Sequence, residues 1–173
     1  NAFNIDGLGD KLIEILFKDK IINDFGDIFQ IEKYKEKLKN KDGFGELSVS
    51  KLLESIESKK QITLDKLIYS LGIRQIGETN AKLLAHHYNS FNNFCMKMEK
   101  AQKKNSESYQ ELVAIDQIGE IIADDLVRYF NSDLNLKIFS KLLKFITIIN
   151  SKPGSLNSPY NGKVTVLSGT FKT

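Results

Sequence analysis

The sequence predicts an all-α body of tandem helix pairs joined by glycine turns, followed by a linker and one orphan β-strand. Three observations lead there. The 173 residues include 11 glycines, only two prolines and no tryptophan, in a chain rich in Leu, Ile, Lys and Glu, which favours helices over a sandwich or barrel. One short phrase recurs at intervals of roughly 30 to 40 residues, the mark of a repeat architecture. Between its copies, apolar residues fall at helical spacing. With 41% hydrophobic and 27% charged residues the chain is globular in composition and long enough for one or two small domains.

The phrase is an apolar residue, a short polar step, Gly or a substitute, an apolar residue, Gly, an acidic residue, and then an amphipathic helix. Its first copy is Ile5-Asp6-Gly7-Leu8-Gly9-Asp10, followed by a stripe of Leu12, Ile15 and Leu16. The second is Asp42-Gly43-Phe44-Gly45-Glu46, followed by Leu52, Leu53 and Ile56. A further stripe of Leu64, Leu67, Ile68 and Leu71 leads into the third copy, Leu71-Gly72-Ile73-Arg74-Gln75-Ile76-Gly77-Glu78. The fourth is Ile115-Asp116-Gln117-Ile118-Gly119-Glu120. Thr63, Ser90 and Asp133 are candidate N-caps, and Asp133 opens a helical pattern running through Ile138, Leu142, Phe145 and Ile149. The helical domain is therefore expected over 1–150. The stretch 151–161, dense in Ser, Pro, Gly and Asn, reads as a linker, and 162–173 as an opening strand that forms no stable sheet alone.

Each copy reads as a tight turn between two helices. The final Gly is expected to supply positive φ or close backbone approach, and Leu8, Phe44, Ile76 and Ile118 to plug the gap between the helices. Asp10, Glu46, Glu78 and Glu120 suit the positive end of the helix dipole. A glycine turn that opens a helix also directs unpaired N–H groups outward, where they can receive a phosphate unobstructed by a Cβ. Lys11, Ser48, Lys51, Thr79 and Lys82 lie where a second phosphate contact would form. In the fourth copy Asp124 and Asp125 stand where the third offers Lys82, so repulsion is expected there and the turn reads as packing.

Charge sets limits on chemistry. The net charge is +3 and the pI about 8.8, with Arg74 and Arg128 the only arginines, which argues against base reading by bidentate forks. One cysteine, Cys95, excludes an internal disulfide and a four-cysteine zinc site, and it fits a reducing compartment. Cys95, between Phe94 and Met96, reads as core; His86 and His87 as surface or capping residues; and the run 97–104 as a solvated helix end or loop. No apolar run reaches the roughly 18 to 20 residues of a membrane span, and no signal-peptide layout is present, so a cytoplasmic protein is expected. The missing initiator Met and the ending just after a strand-like run lead to the expectation of a segment of a longer chain.

These residues resemble the helix-hairpin-helix region of bacterial NAD-dependent DNA ligases. The resemblance is strongest over Phe3-Asn4-Ile5-Asp6-Gly7-Leu8-Gly9 and from Leu71 to Leu84, and 162–171 is similar to the first strand of the BRCT domain that closes such ligases. It implies a non-sequence-specific grip on nicked duplex DNA through phosphates, with the other ligase domains as partners in cis. Gly7, Gly9, Gly43, Gly45 and Gly77 match the family's phosphate-contacting turns, and Arg74 its basic hairpin position. Leu47-Ser48-Val49 departs from it, since a basic residue and Ala are commoner there. The resemblance also implies NAD, magnesium and zinc for the whole enzyme and none of them for this segment. The adenylated lysine sits in a K-x-D-G context that is absent here; Lys41-Asp42-Gly43 lacks the intervening residue. The segment is expected to bind without catalysing. The alternatives are the hairpin domain of an excision nuclease or junction-binding protein, and a helical protein-interaction module.

Overall fold

The computed structural model describes residues 3–41 and 43–149. In chain order it contains α1 (Asp10–Lys18), a 3₁₀ segment (Phe25–Tyr34), α2 (Lys35–Lys39), α3 (Glu46–Ser58), β1 (Gln61–Thr63), α4 (Leu64–Ser70), α5 (Glu78–Tyr88), α6 (Phe91–Lys100), α7 (Glu107–Val113), α8 (Glu120–Phe130), α9 (Asp133–Leu143) and β2 (Thr147–Ile149). The fold is mostly helical, as its composition requires. The expected linker and orphan strand lie outside the described residues.

Two short strands were not foreseen. β1 and β2 pair in parallel, with Gln61 opposite Thr147 and Thr63 opposite Ile149. The periodic pattern from Asp133 therefore breaks at Leu143 rather than continuing to Ile149. Its physical cause is the run Ile146-Thr147-Ile148-Ile149, in which β-branched side chains favour extended backbone over another helical turn. The start of α9 also shifts by one residue. Ser132 is its N-cap, with a hydroxyl that accepts from the N–H of Asn135, and Asp133 is the first helical residue. Thr63 and Ser90 are N-caps as expected, although the Thr63 side chain makes no capping hydrogen bond.

The stretch expected as one helical domain is built as two compact units. The first comprises residues 3–60 and 132–146, and the second residues 61–131 and 147–149. In the first, Leu12 and Leu16 of α1, Val49, Leu52 and Ile56 of α3, and Phe139 and Leu142 of α9 are buried together with Phe29 and Ile31. Asp24 caps the 3₁₀ segment, and Lys141 of α9 bonds to Asp24 at 2.9 Å and to Asp27 at 2.5 Å. Burial alone would raise the Asp27 pKa, but Lys141 and the N–H groups of Asn23 and Asp24 outweigh it and hold it low.

In the second unit Leu64, Leu67, Ile68 and Leu71 all enter the core, as their spacing predicts. An aromatic chain joins three of its helices: ring centroids lie 5.7 Å apart for Tyr88 and Phe94, and 5.5 Å for Phe94 and Phe130. The run 97–104 is less exposed than its charge suggests. Met98 and Ala101 are fully buried, and Lys97 pairs with Glu111. Cys95 is half-buried, and burial pushes its thiol up to about 12.

Candidate nucleic-acid interface

All four copies of the phrase form the same turn. A hydrogen bond closes each from the N–H of the central apolar residue to the carbonyl three positions back: Leu8 to Ile5 (3.2 Å), Phe44 to Lys41 (3.0 Å), Ile76 to Ile73 (3.0 Å) and Ile118 to Ile115 (2.9 Å). Ile76 and Ile118 are buried plugs, whereas Leu8 and Phe44 are half-buried. The following helix opens at once, and its first residue is the expected acid: Asp10, Glu46, Glu78 or Glu120.

The glycines divide the work differently from expectation. Positive φ falls on the first glycine position, at Gly7 (84°), Gly43 (83°), Gln75 (63°) and Gln117 (65°). The final glycines are N-caps with ordinary φ: −83° at Gly9, −79° at Gly45, −82° at Gly77 and −81° at Gly119. A Cβ built on any of these four would meet nothing within 4 Å. Neither backbone strain nor internal crowding therefore explains glycine there.

These helices, like α2 and α4, also lack the side-chain caps found at four other elements. Asp24, Ser90, Ser106 and Ser132 each accept a hydrogen bond from an N–H in the first turn of the element they open, while Gly9, Gly45, Gly77 and Gly119 offer no side chain to do so. The outcome is four exposed helix N-termini with open space before them, suited by dipole and by geometry to an oxyanion such as phosphate.

The side chains around the turns are set by the two units. In the first, Lys11 lies at the second position of α1, and Ser48 and Lys51 at the third and sixth of α3; all three are exposed. Ser55 of α3 braces the first turn by accepting from the Asp6 N–H at 2.8 Å. A Cβ at Gly7 would touch Leu52 at 3.7 Å, so the first turn seats on the helix that the second turn opens. In the second unit Arg74, Thr79 and Lys82 are exposed beside Gly77, and Lys82 lies 3.9 Å from Glu78. Asn80 braces this turn, its side-chain amide donating to the Gln75 carbonyl at 2.9 Å.

The acids of the fourth copy are both paired within the chain. Asp124 accepts from Lys104 and from the Tyr109 hydroxyl, both at 2.6 Å, and these bonds hold its carboxyl below the usual range. Asp125 pairs with Arg128 at 2.8 Å. In the second copy Lys39 likewise donates to Glu46 at 2.9 Å and lowers its pKa. Sequence reasoning missed Lys39, Lys104 and Tyr109 because their partners lie in other elements. His87 bonds to Glu111 at 3.0 Å at the surface of the second unit. Among the described residues no group of three His, Cys, Asp or Glu is placed to hold a metal, and no helix is long and apolar enough to cross a membrane.

Comparison with known proteins places this geometry. Residues 66–139 match the family described as the helix-hairpin-helix motif, a span that contains the third and fourth turns. The whole chain is similar to bacterial proteins named DNA ligase: 41% identical to that of Rhizobium meliloti (strain 1021) over 99% of this chain, and 40% identical to that of Rickettsia akari (strain Hartford) over all of it. The DNA ligase of Pelobacter propionicus is 37% identical over 99% of the chain. The chain spans about a quarter of the length of these relatives, 25% to 26%. Four turns of one geometry, the matched motif and this similarity along the full length of the chain support a helix-hairpin-helix region of a DNA ligase.

Proposed function

We propose that the chain is the duplex-DNA-binding segment of an NAD-dependent DNA ligase that seals nicks in replication and repair in the cytoplasm, and that the segment grips phosphates without regard to base sequence. One observation carries the reading. The third and fourth turns replace the glycine at the positive-φ position with Gln75 and Gln117, yet keep Gly77 and Gly119, where the backbone is unstrained and a Cβ would meet nothing. All four turns thus keep the glycine that the chain itself does not need. An approaching phosphate accounts for this, because a Cβ would stand between the anion and the N–H groups of the first turn.

On this reading Gly7 and Gly43 shape the turns, Gly9, Gly45, Gly77 and Gly119 admit the phosphate, and Lys11, Ser48, Lys51, Arg74, Thr79 and Lys82 add contacts beside it. The fourth turn is included because its acids are already occupied within the chain. The residues here do not fit NAD or a metal: there is no K-x-D-G lysine, only one cysteine, and among the described residues no group of three His, Cys, Asp or Glu placed to hold an ion. Those groups belong to the other domains of the parent, which act in cis, and the segment alone is inactive.

The test is titration of random-sequence duplexes over a range of salt, with nicked and intact forms compared. Log affinity is expected to fall linearly with log salt, by about 0.9 per phosphate engaged. Gly77→Ala and Gly119→Ala are each expected to weaken binding roughly tenfold, the worth of one charge-assisted contact. Their stability should change by less than about 1 kcal/mol, since a slightly poorer cap is offset by lower unfolded-state entropy. Absence of duplex binding at low salt, or unchanged affinity in both variants, would overturn the proposal.

A further inference from the structure

The four hairpin helices differ at one exposed place. Their second residue is Lys11, Leu47, Thr79 and Ile121 in turn, so each unit pairs one turn bearing a polar side chain with one bearing an aliphatic. Leu47 is 70% exposed and Ile121 69%, and in its own unit each is the most exposed large apolar side chain among the described residues. Their immediate surroundings are muted electrically by the chain itself. Lys39 holds Glu46 beside Leu47, and Lys104 with the Tyr109 hydroxyl holds Asp124 one turn along from Ile121.

Resting on the reading above, we infer that Leu47 and Ile121 seat on the deoxyribose of the nucleotide whose phosphate their turn receives, so that each unit holds DNA through one polar and one aliphatic tooth. A side chain at the second helical position stands beside the first-turn N–H groups, and the hydrocarbon face of a sugar directly adjoins every phosphate. A phosphate held at Gly45 or Gly119 therefore brings an apolar surface to the aliphatic side chain, and covering it releases water without displacing a counterion. Sugars offer the same face in every nucleotide, so the contact adds affinity and no base preference.

The molecule contains a control. Leu134 occupies the same second position of α9 and is 67% exposed, but Ser132 caps that helix, so no phosphate is drawn to it. In the full chain, Leu47→Ala and Ile121→Ala should each weaken binding to a random-sequence duplex roughly three- to tenfold at every salt concentration, leaving the slope of log affinity against log salt unchanged. Lys11→Ala should instead lower that slope by about one phosphate's worth. Leu47→Met should bind like the parent, Leu47→Asn like the Ala variant, and Leu134→Ala like the parent, with melting temperatures unmoved because these side chains are exposed. Parental affinity in Leu47→Ala and Ile121→Ala, with the unmodified chain still binding, overturns the inference and leaves the phosphate reading intact; so does an equal loss in Leu134→Ala. A chain that binds no duplex at all overturns both. Capture of a protein by Leu47 or Ile121 in place of DNA would appear as parental DNA affinity in their variants, and counts against the inference.

Discussion

Tyr88 shows what a single buried polar atom does to the second unit. The residue is almost wholly enclosed, its ring stacks at a tilt on Phe94, and burial pushes its phenol well above the ordinary range. Yet its hydroxyl has no hydrogen-bond partner among the described residues. Tyr109 differs, since its hydroxyl donates to Asp124. An unsatisfied buried hydroxyl loses its water without compensation, so Tyr88→Phe is expected to stabilise the protein by about 1 kcal/mol in denaturant unfolding. A loss of stability would mean that the hydroxyl has a partner. At this scale the sequence was legible in part. The G-h-G phrase located the turns, but it could not say which glycine carried positive φ, because both readings permit the same letters. Gln75 and Gln117 concealed the answer, since a residue with a Cβ at the first position ordinarily leaves positive φ to the glycine after it, and both glutamines adopt positive φ themselves.

Between elements, ion pairs connect what the hydrophobic stripes leave apart. Glu111 of α7 meets Lys97 of α6 and His87 of α5, and the Lys97 bond above all holds its carboxyl below the ordinary Glu value of 4.5. A carboxylate whose pKa is lower folded than unfolded contributes stability above its unfolded value, and that contribution disappears as pH falls through the folded one. Melting temperature is therefore expected to hold above about pH 4.5 and to drop below it, with a shallower acid limb in Glu111→Gln. An unchanged limb in that variant would show that the three-helix connection contributes nothing. Such pairs were invisible in the sequence because Lys97 and Glu111 are separated by a turn whose path no periodicity fixes. The helices themselves were legible, since Leu64, Leu67, Ile68 and Leu71 bury a face at the spacing a helix dictates. β2 was not, because Ile138, Leu142, Phe145 and Ile149 satisfy helical spacing, and the extended backbone that the β-branched run from Ile146 favours becomes a strand only with its partner β1, distant in sequence.

For the molecule as a whole, the decisive fact is that the chain leaves its first unit at Lys60 and returns to it at Ser132. No local pattern announces such a return. It is secured by Phe139, Leu142 and Ile146 in the core of that unit and by Lys141 bonding to Asp24 and Asp27. The sequence between, from Gln61 to Asn131, makes a unit with its own core around Leu84, Phe94 and Leu126. Two cores built this way predict two levels of protection from hydrogen exchange, as expected of separate cooperative segments. Phe139→Ala removes a buried ring and should cost about 3 kcal/mol. The loss is expected to fall on the amides of the 3₁₀ segment, α3 and α9, because α3 and α9 both pack on that segment, while α4 to α8 keep their protection. Measured residue by residue, an equal fall across both sets would mean that the chain unfolds as one cooperative body, and that the detour from Lys60 to Ser132 divides its topology without dividing its stability.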